Sequence, residues 1–216
     1  MLLSTMVGQL FEGMLTTLEV FLLTLLFSIP LGLLVAGGRM SSFKPLRWLM
    51  KVYISIMRGT PLMLQLIVVF FAPYYVFGMS LSVEYRMVAV IIAFSINYAA
   101  YFAEIFRGGI ESIPKGQYEA AQVLGYSRFE TFFIIILPQV FKIVLPSITN
   151  EVITLVKDTS LSFVIAIPEM FTVAKQIAAA EASIVALLVA GIFYYVFNVI
   201  VAFVMEHLES RLDYYD

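Results

Sequence analysis

The chain has 216 residues, of which 62% are hydrophobic and 13% are charged, and its formal net charge at pH 7 is −2. Soluble domains contain about 25% charged and about 45–50% apolar residues, so a mean hydropathy of +0.97 excludes an ordinary soluble domain and predicts a protein of the lipid bilayer. The weak net charge provides no basic field for nucleic acid, and the absence of cysteine excludes disulfides, thiolate metal sites and thiol catalysis.

Five apolar segments are predicted to cross the membrane as helices, because about 20 mostly apolar residues span about 30 Å of hydrocarbon. In chain order they are residues 10–38, 52–77, 86–107, 132–156 and 182–205. Lys142 and Glu151 interrupt the fourth segment, and their side chains are expected to face protein or water. Pro138 and Pro146 are expected to bend or end its helix. The prediction is an all-α integral membrane protein with a single transmembrane domain, residues 1–216.

The basic residues between the spans predict the orientation of the chain, since cytoplasmic connections carry an excess of lysine and arginine. The first connection contains Arg39, Lys44, Arg47 and Lys51. The third, counted with the last residue of the span before it, contains Arg107, Lys115 and Arg128. The connection between them, residues 78–85, contains neither residue type. The first and third connections are therefore expected in the cytoplasm, with the N-terminus outside and the C-terminus inside. Because no basic residue precedes Arg39, the N-terminal segment does not have the pattern of a cleavable signal peptide.

The third connection, residues 108–131, contains signals for two short helices. Pro114 is suited to a helix start, and Gly125 is suited to the left-handed residue that follows a helix end. Ser127 and Glu130 have the spacing of a capping box, which begins a second helix. A short helix, a tight turn and another helix would form a rigid knob outside the membrane, suited to being held by a partner.

A set of residues at fixed spacing surrounds this knob: Glu119, Ala120, Ala121, Gly125, Ile135, Leu137 and Pro138. This set resembles the EAA loop of permease subunits in bacterial ATP-binding-cassette (ABC) importers. Residues 58–61, Arg-Gly-Thr-Pro, and residues 97–110 resemble the subgroup for polar amino acids, which includes the histidine, glutamine and arginine permeases. The resemblance extends over nearly the whole chain.

The resemblance implies the type I importer transmembrane fold with five helices, in a bacterial cell (inner) membrane. In that family the EAA helices dock on a separate ATPase subunit, which binds ATP and Mg, and two permease subunits form an alternating-access pathway. The expected partners are therefore that ATPase, a second permease subunit (identical or paralogous) and an extracytoplasmic amino-acid-binding protein. The sequence contains no Gly-Lys-Ser/Thr phosphate-binding loop, so this chain is not expected to hydrolyse ATP and needs no cofactor of its own.

Polar residues inside a membrane segment are costly and are usually functional. Six are candidates for the substrate pathway: Asn97, Glu104, Glu151, Lys157, Asp158 and Glu169. Simpler roles are open for several of them. Glu104 has the i,i+3 spacing to pair with Arg107, and Lys157 and Asp158 are placed where an outer interface would solvate them.

In the outer half of the predicted pathway, three acids, Glu151, Asp158 and Glu169, outnumber one nearby base, Lys157. Pairing of these acids with Lys142, Lys157 or Lys175 is the open alternative and would leave a neutral cavity. Because a partly desolvated acid stabilises a bound cation, the pattern favours a basic or polar amino acid over an acidic one. No catalytic constellation is recognisable, and the lone histidine, His207, lacks the companions of a metal site.

Two other functional classes remain as alternatives at the level of sequence. A membrane-embedded enzyme acting on lipid headgroups would need clustered acids or histidines at one interface, and the sequence shows no such cluster. A gated channel would conduct without nucleotide, so purification with an ATPase subunit distinguishes the importer from a channel.

Overall fold

The structure is a computed structural model that describes residues 2–212, so the predicted domain, residues 1–216, extends beyond the described residues at both ends. The described residues form helices joined by turns and short loops, without strands. The helices are α1 (Leu3–Met40), α2 (Lys44–Gly59), α3 (Leu62–Phe77), α4 (Val83–Ser112), α5 (Lys115–Val123), α6 (Arg128–Ile165), α7 (Met170–Ala180) and α8 (Val185–Leu212).

Four of the described helices (α1, α4, α6 and α8) are long and apolar enough to cross a membrane, and the bent pair α2–α3 makes five if it counts as one span. α1, α4 and α6 contain all of the predicted segments 10–38, 86–107 and 132–156. α8 begins three residues inside the segment 182–205, because the chain turns at Ala182, where φ is +47°.

The second predicted span, residues 52–77, is not a single helix, which corrects the prediction. α2 and α3 meet at Thr60 and Pro61 with their axes 110° apart. A proline has no backbone N–H and disfavours helical geometry in the residue before it, and Thr60 is accordingly extended, with φ −124° and ψ 147°. Glycine and proline are tolerated inside transmembrane helices, so Gly59 and Pro61 did not by themselves predict this break.

The third connection, predicted as residues 108–131, is also shorter than expected. α4 continues to Ser112 because its two glycines do not end it. Gly109 instead packs against α6, where an added Cβ would lie 2.1 Å from Cγ1 of Val144. Close contact between two helices, rather than a turn, accounts for a glycine at this position.

Pro138 and Pro146 were expected to bend or end the helix that contains them. Neither proline ends α6. The segment before Pro138, Thr131–Ile136, is wound as a π-helix, and such wider turns are a known accommodation within α-helices. A proline cannot donate to the carbonyl four residues earlier, and the change in winding lets the helix continue past it. The α-helical part then runs through Pro146 to Asp158 and narrows to a 3₁₀ helix over Thr159–Ile165.

α4 lies at the centre of the bundle, and α1 packs along it. An added Cβ at Gly32 of α1 would lie 2.7 Å from Cβ of Phe102 and 3.2 Å from the carbonyl oxygen of Ala99. The absent side chain thus permits the close approach of the two backbones. The opposite side of α1 exposes leucines such as Leu26 and Leu34, as expected for a surface covered by lipid.

Candidate functional site

Two amide side chains, those of Gln65 and Asn97, form hydrogen bonds to the backbone at the break between α2 and α3. Nε2 of Gln65 lies 2.9 Å from the carbonyl oxygen of Met57 and 2.8 Å from Oγ1 of Thr60. Nδ2 of Asn97, from α4, donates to the same Met57 oxygen and to Oε1 of Gln65, at 2.9 Å each. A helix end leaves carbonyls without partners, and these amides satisfy one of them. Asn97 is 4% exposed, and the structure thus places this predicted pathway residue behind the break, where it fixes the backbone.

The break brings the exposed Arg58 within electrostatic range of Glu151, an acid of α6. The guanidinium of Arg58 lies over the ring of Tyr101, 5.2 Å from its centroid, and interacts electrostatically with Glu151. Asp158 accepts a hydrogen bond of 2.8 Å from the hydroxyl of Tyr98. Glu151 and Asp158 are seven residues apart, which places them on one face of the helix, and both are partly buried. We call Arg58, Glu151 and Asp158 the charged triad.

The charged triad lies near mid-depth in the bundle rather than in its outer half. α4 has 30 residues, which correspond to about 45 Å at 1.5 Å per residue. Tyr98, the partner of Asp158, is halfway between the ends of this helix. Lys157, beside Asp158, is exposed and acts on the Asp158 carboxylate electrostatically. Of the predicted pathway residues, the structure brings Glu151, Lys157 and Asp158 together.

Glu104 belongs to a different group of charges. Its carboxylate accepts hydrogen bonds from two nitrogens of Arg107, the closer at 2.7 Å. Arg39 of α1 lies 3.9 Å from the same carboxylate. Arg107 also pairs with Glu111. This network joins the end of α1 to α4 and matches the simpler role considered for Glu104. The observed contacts are those of a brace between helices.

Glu169 is fully buried, with 0% of its surface exposed. Its oxygens accept hydrogen bonds from the backbone N–H groups of Phe171 and Thr172, at 2.8 and 2.7 Å, and from the hydroxyl of Tyr194 at 2.8 Å. The residue therefore caps the start of α7, where a negative charge is favoured. In this structure Glu169 is enclosed by its partners and is not open to a pathway.

The knob between α4 and α6 has the predicted local structure. α5 follows Pro114, and Gly125 has the left-handed φ of +81°. The N–H of Tyr126 donates to the oxygen of Ala121, and the N–H of Gly125 to that of Gln122, each at 3.1 Å. These two bonds form a Schellman motif, the standard helix ending at a left-handed glycine.

The capping box that follows is also present. Oγ of Ser127 accepts from the N–H of Glu130 at 3.2 Å, and the Glu130 carboxylate accepts from the N–H of Ser127 at 2.8 Å. The two ends of the tight turn are thus fixed by separate hydrogen-bond motifs, which holds α5 at a set angle to α6.

The knob presents an apolar tip. Val123 is 87% exposed and Leu124 is 73% exposed, whereas Ala121 is buried against its own chain. Glu119 and Ala120 lie on the exposed side, and Leu137 and Pro138 lie beyond the π-helical segment of α6. Exposed apolar residues on a segment between spans mark a surface for another protein.

Some residues of the site were missed by the sequence prediction. Arg58 was part of a recognised motif without an assigned charge role, and only the break at Pro61 brings it to Glu151. Tyr98 and Tyr101 lie in the recognised stretch, residues 97–110, but neither was assigned a role. Val123 and Leu124 follow the Ala120–Ala121 pair after one residue, Gln122. An apolar pair at the end of a non-membrane helix is a signal that could have identified the tip.

Comparisons with known proteins agree with these features. Residues 28–214 match the family described as binding-protein-dependent transport system inner membrane component. The L-cystine transport system permease protein TcyB of Bacillus subtilis is 38% identical over 94% of this chain and 86% of its own length. The arginine transport system permease protein ArtQ of the same organism is 36% identical over 93% of this chain and 91% of its own. A crystal structure of an amino acid ABC transporter with histidines is similar with a TM-score of 0.86 and 30% identity, covering 95% of this chain and 94% of that one.

Proposed function

The chain belongs to the family of binding-protein-dependent transport system inner membrane components, and from this premise we propose that it forms half of the translocation pathway of an ABC importer for amino acids. It is a multi-pass transport permease of the type I importer fold. The proposal is that the pathway alternates its access between the two sides of the membrane and that a separate ATPase subunit, binding ATP and Mg, drives the change.

The charged triad is the observation that carries the substrate proposal. A free amino acid has an ammonium and a carboxylate, so its site needs both acceptors and a donor. Arg58 supplies a fork of donors for a carboxylate, and Glu151 and Asp158 supply two acceptors. One positive and two negative groups complement a ligand with one negative and two positive groups, because an unpaired charge in a partly desolvated site is costly.

A basic amino acid such as arginine, lysine or histidine has that charge pattern. TcyB and ArtQ are named for substrates of different net charge, so family membership alone does not fix the preference. The local charges support a basic or polar substrate over an acidic one. Glu169 does not enter this proposal, since its oxygens are occupied by its own chain.

The proposed partners follow from the same assignment. The ATPase subunit is proposed to hold the knob around Glu119 and Gly125 and to cover the apolar tip formed by Val123 and Leu124. A second permease subunit, identical or paralogous, is proposed to complete the pathway, and an extracytoplasmic binding protein is proposed to deliver the amino acid. The exposed knob has a capped, rigid turn between two helices, which supports this docking role.

This proposal predicts nucleotide-dependent uptake with a defined order of competitors. The test uses vesicles that contain the chain, its ATPase and its binding protein. We expect labelled arginine to accumulate only when ATP is supplied on the side of the membrane where the ATPase is bound. Unlabelled lysine or histidine should compete better than glutamate. Flux without nucleotide would favour a channel, whereas stronger competition by glutamate would overturn the charge preference and leave the importer assignment intact.

The proposed orientation places the N-terminus outside, the knob in the cytoplasm and the C-terminus inside. The chain contains no cysteine, so a single introduced thiol reports one position. We expect Ser42→Cys to resist a membrane-impermeant maleimide in intact cells and to react after lysis, and Ser80→Cys to react in both. Both serines are exposed, and the reverse labelling pattern would contradict the orientation.

A further inference from the structure

The first half of α2 displays a basic stripe, defined here as Lys44, Arg47 and Lys51. Their spacing of three and four residues aligns them on one side of the helix, and all three are exposed. None of them forms an ion pair with an acid in the part of the chain that the structure describes. The sequence between Glu19 and Glu84 contains no acidic residue at all, so the stripe has no counter-charge of its own.

An exposed apolar face lies beside the basic stripe. Trp48 is 66% exposed, and Leu49 and Ile56 are about half exposed at 53% and 50%. The remaining side of α2 packs inward through Ile54, which is buried, and Tyr53, whose hydroxyl donates to the carbonyl of Ile96. A helix with a packed side, a basic stripe and an exposed apolar face has the pattern of an interfacial helix.

The position of α2 fits the inner surface of the membrane. The helix begins four residues after Met40, the last residue of α1. It then rises to the middle of α4, where Asn97 holds the carbonyl of Met57. In the orientation proposed above, Lys44 and the following two turns therefore lie at the level of the cytoplasmic headgroups.

We propose that the first two turns of α2 bind the headgroup of an anionic phospholipid from the cytoplasmic leaflet. The basic stripe meets the phosphate, and Trp48 lies at the boundary between headgroup and acyl chain, where tryptophan is enriched. Anionic lipids of that leaflet attract basic segments next to a membrane helix. The proposal rests on the orientation given under the proposed function and is independent of the transported substrate.

Trp48 is the single tryptophan of the chain, and its fluorescence reports this site without a label. The full chain is reconstituted in phosphatidylcholine bilayers that contain an equal fraction of either brominated phosphatidylglycerol or brominated phosphatidylcholine. We expect the brominated phosphatidylglycerol to quench Trp48 at least about twofold more strongly at low salt, and we expect the difference to shrink at high salt because exposed charges are screened.

The variant Arg47→Gln/Lys51→Gln should lose this selectivity, with about a tenfold weaker apparent affinity for the anionic lipid. The matched control Lys115→Gln/Arg128→Gln removes the same charge from the knob and should keep it. Equal quenching by both lipids, or loss of selectivity in both variants, overturns the proposal. A Trp48 that neither lipid quenches means that α2 is covered by protein, which overturns it as well. Failure of ATP-driven uptake would contradict the importer proposal and would leave the quenching result unaffected.

Discussion

Replacing Glu151 by glutamine is expected to lower the uptake of arginine by about tenfold or more, while the protein still inserts and assembles. Glutamine has almost the same shape and removes only the charge. A hydrogen-bonded or ion-paired charge at a partly desolvated site contributes about 1.5–3 kcal/mol, which corresponds to about a tenfold to a hundredfold change in affinity. Glu151 is partly buried and faces Arg58 across the charged triad.

The measurement is uptake in vesicles, with arginine and glutamine as alternative substrates. Arginine uptake should fall more than glutamine uptake, because only arginine brings a second positive charge to the acids. Glu206→Gln is the matched control, since it makes the same change at an exposed residue near the C-terminal end of α8. Equal losses for both substrates would point to a structural role for Glu151, and unchanged arginine uptake would remove it from the pathway.

The helices and the knob could be predicted from the sequence because their signals are local. Long apolar runs determine the membrane spans, and Pro114, Gly125 and the Ser127–Glu130 pair act within a few residues of their own positions. Such caps depend on backbone geometry that each residue favours by itself. The structure accordingly reproduces the knob residue by residue.

The candidate site depends on contacts between segments that are distant in the sequence. Local sequence patterns do not predict such contacts. The break at Pro61 lies in a short polar interruption, residues 58–61, and the apolar residues on both sides of it were joined into one predicted span. Glu104 and Glu169 are polar residues in apolar surroundings just as Glu151 is. The sequence offered Arg107 as a partner of Glu104, but only the structure adds Arg39 from α1 and shows that a helix start encloses Glu169.

The contrast between Glu151 and Glu169 shows that an acid in an apolar stretch of sequence is not by itself a charge without partners. Both are acids in apolar stretches of the sequence. Glu169 directly precedes α7, and its carboxylate accepts hydrogen bonds from the free N–H groups at the start of that helix. The negative charge of Glu169 is therefore balanced within the fold. Glu151 lies inside α6, where the backbone is already hydrogen-bonded, so its carboxylate remains available to the charged triad.

Replacing Gly125 by valine is expected to reduce both ATPase association and uptake by about tenfold or more without preventing membrane insertion. The φ of +81° at Gly125 lies in the left-handed region, which costs an L-residue about 1–2 kcal/mol and a β-branched residue more. An added Cβ would meet no atom within 4 Å. The penalty therefore arises from the backbone alone, and relieving it would rotate α5 away from its set angle to α6.

The variant Gly125→Asn distinguishes an effect of the backbone conformation from an effect of the changed surface at residue 125. Asparagine tolerates the left-handed region better than other non-glycine residues, so Gly125→Asn should retain most of the ATPase association that Gly125→Val loses. Association is measured by co-purification, and uptake is measured in vesicles as before. Normal association and uptake in the valine variant would refute the docking role of the knob. If asparagine failed as completely as valine, the exposed surface at residue 125 rather than the turn geometry would be what the ATPase requires.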